Sequence, residues 1–272
     1  MRRAPTAGSD EIGWDPERGR LDPADLEGVD AVIHLAGESI ASGRWTRARR
    51  ERILRSRSDG TQLLAETLAG LSRKPRVFVS ASAVGFYGDR GDEIVDEQSA
   101  SGSGFLAEVC RAWEAASEPA AKAGIRVVPL RIGIVLSASG GALSQMLLPA
   151  RLGLGGPMGS GSAWFSWIAL DDLIGLMHHL LFTESIAGPV NAVAPEPVRS
   201  AELARVLGRV LRRPAFLRVP AFALRAALGD LADEALLASA RVRSARLTGC
   251  GFEFLYPDLE SALRCELGVA RG

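Results

Sequence analysis

VFVSASAVGFYG, residues 77–88, is an apolar run of strand type that stops on small residues and then turns on glycine and an aromatic. Val77, Phe78 and Val79 have the β-branched and aromatic character of a buried strand, predicted over 77–81. Ser80, Ala81 and Ser82 leave room above the strand end for something else to sit. In a parallel α/β sheet that place is the ligand crevice at the carboxyl ends of the strands. A second strand ends in the same way: Asp30 leads into AVIHLAG, a strand over 31–35 that closes on Ala36 and Gly37.

The chain has 272 residues, 47% of them hydrophobic, enough for a real core in one large or two modest domains. Its 32 basic residues balance 32 acidic ones, which removes the electrostatic footprint expected of a partner to nucleic acid or an anionic membrane. Apolar runs fall well short of the roughly 20 residues of a membrane span, and the N-terminus has no secretory apolar region. A soluble cytoplasmic protein acting on a small molecule is expected. Cys110, Cys250 and Cys265 are odd in number and lack metal-site spacing, so they read as three reduced thiols with no metal. Lys74 and Lys122 are the only lysines, and Tyr87 and Tyr256 the only tyrosines.

Along the chain, Thr46 is the expected N-cap of a long helix through Leu71, broken at Gly60. A helix from Gly104 carries Phe105, Val109 and Trp113 on one apolar face and ends at Gly124. IRVVPLRIGIVL, residues 125–136, is the next strand, and the glycine-rich segment 139–162 reads as loop. WFSWIALDDL supplies a short strand and the start of a helix over 172–182, with Asp171 or Asp172 as its N-cap, before a last strand in PVNAVAP. This alternation argues for a parallel sheet of βαβ units. From Pro197 the pattern changes: a helix over 200–211, a short strand FLRVP, an apolar helix over 221–228 and a further helical stretch. Residues 1–196 are therefore read as a Rossmann-like domain, incomplete at its N-terminus, whose loop 139–162 contributes to the substrate lobe. Residues 197–272 are read as a smaller C-terminal α/β lobe.

HLAG at one strand end, SASAVGFYG at the next, PLRIGIVL at a third and WIALDDL after it follow the order and spacing of the extended short-chain dehydrogenase/reductases. More narrowly, AGESIASGRW, RSRSDGTQLL, MLLPARLGLGGPMGSG and GFEFLYPDLESAL resemble an atypical branch, the NAD-dependent (sugar-nucleotide) epimerase-like proteins with their own C-terminal domain. The resemblance covers nearly the whole chain from about residue 11. It implies a Rossmann-like domain binding NADP(H) and a substrate lobe built from the C-terminal part.

Two departures qualify it. No GxGxxG occurs anywhere, although the family opens with a glycine-rich turn that lets backbone approach the pyrophosphate. Met1 to Pro5 instead resemble the end of the family's second strand, where a basic residue can meet a 2′-phosphate, which points to Arg3. The chain is expected to lack about one strand-helix-strand unit, roughly 30 residues, through a misassigned start. The second departure is catalytic. Family members use Tyr and Lys four residues apart on one helical face, where Lys lowers the Tyr pKa for proton exchange. Phe105 and Val109 stand at those positions, and neither Tyr87 nor Tyr256 has a lysine four residues on.

The resemblance further assigns Ser82 to the Ser/Thr that helps hold the substrate oxygen. It assigns Leu35, Ala36, Arg57 and Val135 to positions beside the cofactor, to which Ser80 and Arg131 are added from the same strand ends. Each residue also has a structural reading: a serine satisfied by backbone, an exposed helical arginine, plain core. Arg131 lies within an apolar strand, where an unpaired charge is costly, so it requires an anionic or carbonyl partner. His34 reads as a satisfied core histidine, and His178 with His179 makes no HExxH site. Glu108, about a quarter turn from the Phe105/Val109 pair, is the remaining substitute for proton transfer. Two functions follow: an NADP(H)-binding oxidoreductase or epimerase-like enzyme for a small carbonyl or sugar-like substrate, or a non-catalytic dinucleotide-binding regulator.

Overall fold

A computed structural model of the chain describes residues 11–269. Its central sheet has four parallel strands, β1 (Ala31–His34), β2 (Val77–Ala83), β3 (Arg126–Ile132) and β4 (Val190–Ala192), lying side by side in chain order. Registry places Ser82, Arg131 and Asn191 in one row across three strands, and His34 beside Ser80 in another. The sheet is sandwiched, as parallel sheets must be. Strand alternation sends Val77 and Val79 to one face, where they meet Leu176 and Leu180 of α4 (Leu170–Phe182). Phe78 faces the other way, onto Leu64 and Leu68 of α1 (Arg47–Gly70). Helix α2 (Phe105–Ala115) continues that second layer, burying Phe105, Val109 and Trp113 as the apolar spacing requires. The α/β fold expected from the strand-helix alternation is therefore present, and no helix among the described residues is long and apolar enough to cross a membrane.

Thr46 caps α1, its hydroxyl accepting from the Arg49 N–H at 3.3 Å. Gly60 does not break this helix: the Trp14 ring fills the space above it, and a Cβ there would lie 3.1 Å from the indole. Packing against the ring outweighs the weak helix propensity of glycine. The strand 77–81 runs on to Ala83, which encloses Ser80 and Ser82 at 1% and 2% exposure instead of leaving them above the strand end. Residues 125–136 form two strands, Arg126–Ile132 and Ile134–Leu136, because the chain turns at Gly133 to pair with Trp167–Ala169. A Cβ on Gly133 would stand 2.8 Å from the Ser166 carbonyl. The helix from Gly104 also ends early, at Ala115, and a separate short helix, Glu118–Lys122, precedes Gly124.

The expectation of loop across 139–162 is corrected. Residues Gly141–Arg151 form helix α3, which buries Leu143, Leu147 and Ala150 on one face despite Pro149. Glycines at its two ends hid the apolar spacing between them. Neither Asp171 nor Asp172 caps α4, which begins at Leu170 after Ala169. Asp172 is 1% exposed and accepts backbone N–H groups from Leu255 and Tyr256 at 2.7 and 3.1 Å, tying down the C-terminal segment.

Helix α5 (Ser200–Leu211) packs with α3 and α7 (Leu259–Glu266) over Leu143, Leu203, Leu207 and Leu263. FLRVP forms no strand beyond a single bridge between Met158 and Val219, and α6 (Ala221–Leu228) follows it. Two features join this part to the sheet layer. Arg241–Val242 pairs in parallel with Ile94–Val95, and the Glu234 carboxylate accepts the N–H groups of Phe105 and Leu106 at the start of α2.

Candidate functional site

The row of Ser82, Arg131 and Asn191 carries a buried polar network. The Ser82 hydroxyl donates to Glu114 Oε1 at 2.7 Å. Arg131 donates to both oxygens of the same carboxylate, at 2.8 and 2.9 Å, a two-pronged pairing that satisfies the planar guanidinium. This is the partner that the apolar setting of Arg131 demands. Burial works against the guanidinium charge, but the bonds and charge of Glu114 outweigh it and raise the Arg131 pKa. The Phe86 ring covers the cation at 3.5 Å from its centroid. Arg131 also donates to the Tyr87 hydroxyl at 2.9 Å, and that hydroxyl lies 2.8 Å from both the Asp96 carbonyl and Asn191 Oδ1.

This closes one route to catalysis. Tyr87 is fully buried, and burial raises its pKa even though Arg131 acts the other way. It is a structural tie and no replacement for the absent tyrosine. Glu108 lies exposed on α2, away from the buried Phe105 and Val109. Cys110 is buried beneath the same layer, its thiol pushed up to about 11 by desolvation, and so remains protonated.

Beside this network the end of β1 is open. Leu35 is 52% exposed, Ala36 is half-buried, and Gly37 lies under the side chain of Arg57, whose Cζ would be 3.1 Å from a Cβ at that glycine. Arg57 projects from α1. Its Nη1 donates to the carbonyls of Glu38 and Ile53 at 2.9 and 3.1 Å, and its Cζ stands 4.9 Å from the centre of the Trp113 ring. Burial lowers its pKa, with Cys110 and Glu38 opposing. Among the described residues it makes no ion pair: this half-buried cation is held by carbonyl oxygens and an aromatic face, with the Glu38 carboxylate acting on it only from beyond pairing distance.

Two cavities meet at this point. A groove of about 740 Å³ runs along Ala36, Gly37, Ser56, Arg52 and Arg55. A larger cavity of about 1020 Å³ begins at Ser39, Ile40 and Arg57 and extends between α3, α5 and α6. Gly37 and Arg57 therefore form the saddle between a deep chamber and a groove of mixed charge, in which Arg52 and Arg55 stand beside Glu17, Glu38, Glu51 and Asp59. These residues fit a dinucleotide: small residues allow backbone contact, and a rigid guanidinium without a carboxylate can meet an anionic group.

The positions expected from the sequence thus fall into separate places. Leu35, Ala36 and Arg57 gather at the saddle, whereas Ser82 and Arg131 belong to the closed network. The Ser80 hydroxyl is buried and has no hydrogen-bond partner among the described residues. Val135 is half-buried on the short strand after Gly133, packed against the core under α4. Arg3 lies outside the described residues. His34 is buried as expected, yet its Nε2 has no partner among the described residues, and desolvation lowers its pKa from 6.5 to about 4, so it is neutral. Glu114, the carboxylate that organises the row, is a residue that sequence reasoning missed. Its only signal is its place one residue after Trp113 on a helix facing a strand arginine.

Comparison with known proteins identifies the family. Residues 20–191 match the family model described as the NAD dependent epimerase/dehydratase family, and residues 219–265 match a domain of unknown function, DUF1731. The epimerase family protein Mb2239 of Mycobacterium bovis is 41% identical over 97% of this chain and 86% of its own length. A crystal structure of human epimerase family protein SDR39U1 with NADPH superposes with a TM-score of 0.85 at 35% identity, covering 88% of this chain and 82% of the human one. A structure described as the nucleoside-diphosphate sugar epimerase from Corynebacterium glutamicum aligns with a TM-score of 0.78 at 40% identity, covering 98% of this chain and 51% of that one. The chain is a member of the NAD-dependent epimerase/dehydratase family, in the form that carries a DUF1731 domain after the sheet domain.

Proposed function

We propose that this protein binds NADP(H) across the saddle at Ala36, Gly37 and Arg57 and uses it as an oxidoreductase or epimerase on a small carbonyl-type substrate held in the larger cavity. The observation that carries the reading is Arg57: a half-buried cation between two cavities, without a carboxylate partner among the described residues, at the carboxyl end of a parallel strand. The NADPH in the crystal structure of human SDR39U1 supports the choice of cofactor. Leu35 and Ala36 would line the cofactor through backbone and small side chains, and Val135 would border it from the neighbouring strand. Arg3 would meet the 2′-phosphate. Ser80, Ser82 and Arg131 would act from beneath, Ser82 reaching the reacting oxygen only if its bond to Glu114 opens.

The bound cofactor would supply hydride exchange with a carbon bearing oxygen. The chain's own residues orient the partners and keep water out. With no Tyr-Lys pair, proton supply falls to solvent or to the Ser82 hydroxyl, whose proton is directed at Glu114. Residues 1–196 with the 139–162 segment would form the cofactor domain and part of the substrate wall, and 197–272 the remaining wall. A second reading, a dinucleotide-binding regulator without turnover, draws on the same bond: a hydroxyl committed to a carboxylate is a poor donor.

Single-turnover mixing of NADPH-loaded protein with a panel of aldehydes and ketones separates the two. Oxidation of the bound nicotinamide is expected for the enzyme. Binding of NADPH with no oxidation by any carbonyl compound would leave the regulator.

A further inference from the structure

The larger cavity narrows the substrate class, given the function proposed above. Its wall is built by apolar side chains, among them Ile40, Met146, Leu207, Leu224, Leu228 and Leu231. Among the described residues Arg57 is the one charged side chain in that wall, and no Asp, Glu, His, Lys or Tyr contributes to it. The other polar side chains in the wall are few: Ser39, Ser42, Gln145, Ser200 and the Trp164 indole. Arg57 is bonded to two carbonyls, and the Ser200 hydroxyl accepts the Met158 N–H at 3.2 Å. A nucleotide sugar would bring two diphosphate charges and a row of hydroxyls into this chamber. These few side chains can meet only part of that polar surface, and the groups left over would lose their water without gaining a partner, which opposes binding.

The rim gives a second, independent indication. Leu154, which lines the cavity, is 55% exposed, and Phe216 and Phe222 are each 74% exposed. Backbone bonds bring these segments together: the Leu217 N–H donates to the Gly155 carbonyl at 3.2 Å, and the Val219 N–H to the Pro157 carbonyl at 2.9 Å. Phe216 adjoins that ribbon and Phe222 lies in the first turn of α6, so exposed apolar side chains stand on the same segments that line the cavity. Exposed large apolar side chains gathered at one opening mark a place where apolar matter is bound.

We infer that the chamber takes a lipophilic carbonyl compound or its alcohol, and not a nucleotide sugar. The carbonyl end would be directed toward Arg57 and the strand ends, and the hydrocarbon part would lie between α3, α5 and α6.

The test uses the full chain and the neutral fluorophore N-phenylnaphthylamine, with and without NADPH. Saturable fluorescence enhancement is expected, displaced by decanal and not by UDP-glucose. Met146→Glu and Leu224→Glu alter half-buried positions, so circular dichroism is expected to show an intact fold. Each is expected to weaken fluorophore binding by at least about tenfold, because a carboxylate then faces the apolar wall. Their NADPH affinity is expected to match the parent. Displacement by UDP-glucose but not by decanal would overturn the inference, as would folded variants that bind the fluorophore like the parent. Failure of NADPH to bind would count against the proposed function alone, since the fluorophore is also read without it.

Discussion

Two arginines stand in the layer between the sheet and α2, and their surroundings are opposite. Arg131 is 4% exposed and has its charge answered within the protein, by both oxygens of Glu114, the Tyr87 hydroxyl and the Phe86 ring. Arg57 is bonded to two carbonyl oxygens and stacked on the Trp113 ring, makes no ion pair among the described residues, and opens onto a cavity. A cation neutralised by its own fold maintains structure, whereas one left without a carboxylate is available to a ligand. The contrast divides the strand ends into a sealed half around Ser82 and an open half around Ala36 and Gly37.

The largest effect is expected on the sealed side. Glu114→Leu leaves Arg131 buried without its carboxylate and should cost about 3–5 kcal/mol in urea denaturation. Glu114→Gln, which retains one acceptor, should cost less. Equal losses for both would show that the charge is not what matters there. Next comes His34, whose folded pKa of about 4 lies below the ordinary 6.5. The folded state then binds fewer protons than the unfolded chain across that window, so stability falls as pH drops from 6.5 toward 4. Fully developed, the effect is on the order of 3 kcal/mol. His34→Phe keeps an aromatic ring beside Trp14 and Phe78 and should flatten this acid limb; an unchanged limb would assign it to other groups. The smallest expected change is Glu234→Ala, which removes the acceptor for two N–H groups at the start of α2 and should cost about 1 kcal/mol. Hydrogen exchange should quicken at Phe105 and Leu106 first.

How much of this was legible in the sequence depended on whether the signal was local. The strands expected over 31–35 and 77–81, found at 31–34 and 77–83, the Thr46 cap and the face of Phe105, Val109 and Trp113 all follow from short-range pattern. The need of Arg131 for a partner follows from one charge in an apolar strand. Its identity, Glu114, required knowing which turn of α2 passes over β3. Helix α3 was masked because Gly140, Gly141 and Gly153 flank it, and a composition-based reading assigns such a segment to loop. Asp172 looks like a cap from its position near a helix start, but its partners lie more than eighty residues away. The larger cavity is the least local feature of all. Its wall gathers side chains from α1, α3, α5 and α6 and the loops between, and no single segment carries its apolar character.

The most direct measurement is a titration of NADPH into the intact protein and into Arg57→Met, followed by tryptophan fluorescence and checked by calorimetry. Methionine preserves the reach of the side chain over Trp113 while removing the charge. The parent should bind NADPH saturably, and the variant should fold yet bind it roughly ten- to a hundredfold more weakly, the range for a lost charge-assisted contact. A folded Arg57→Met protein with the parent's NADPH affinity would contradict the assignment of the open half as the cofactor site.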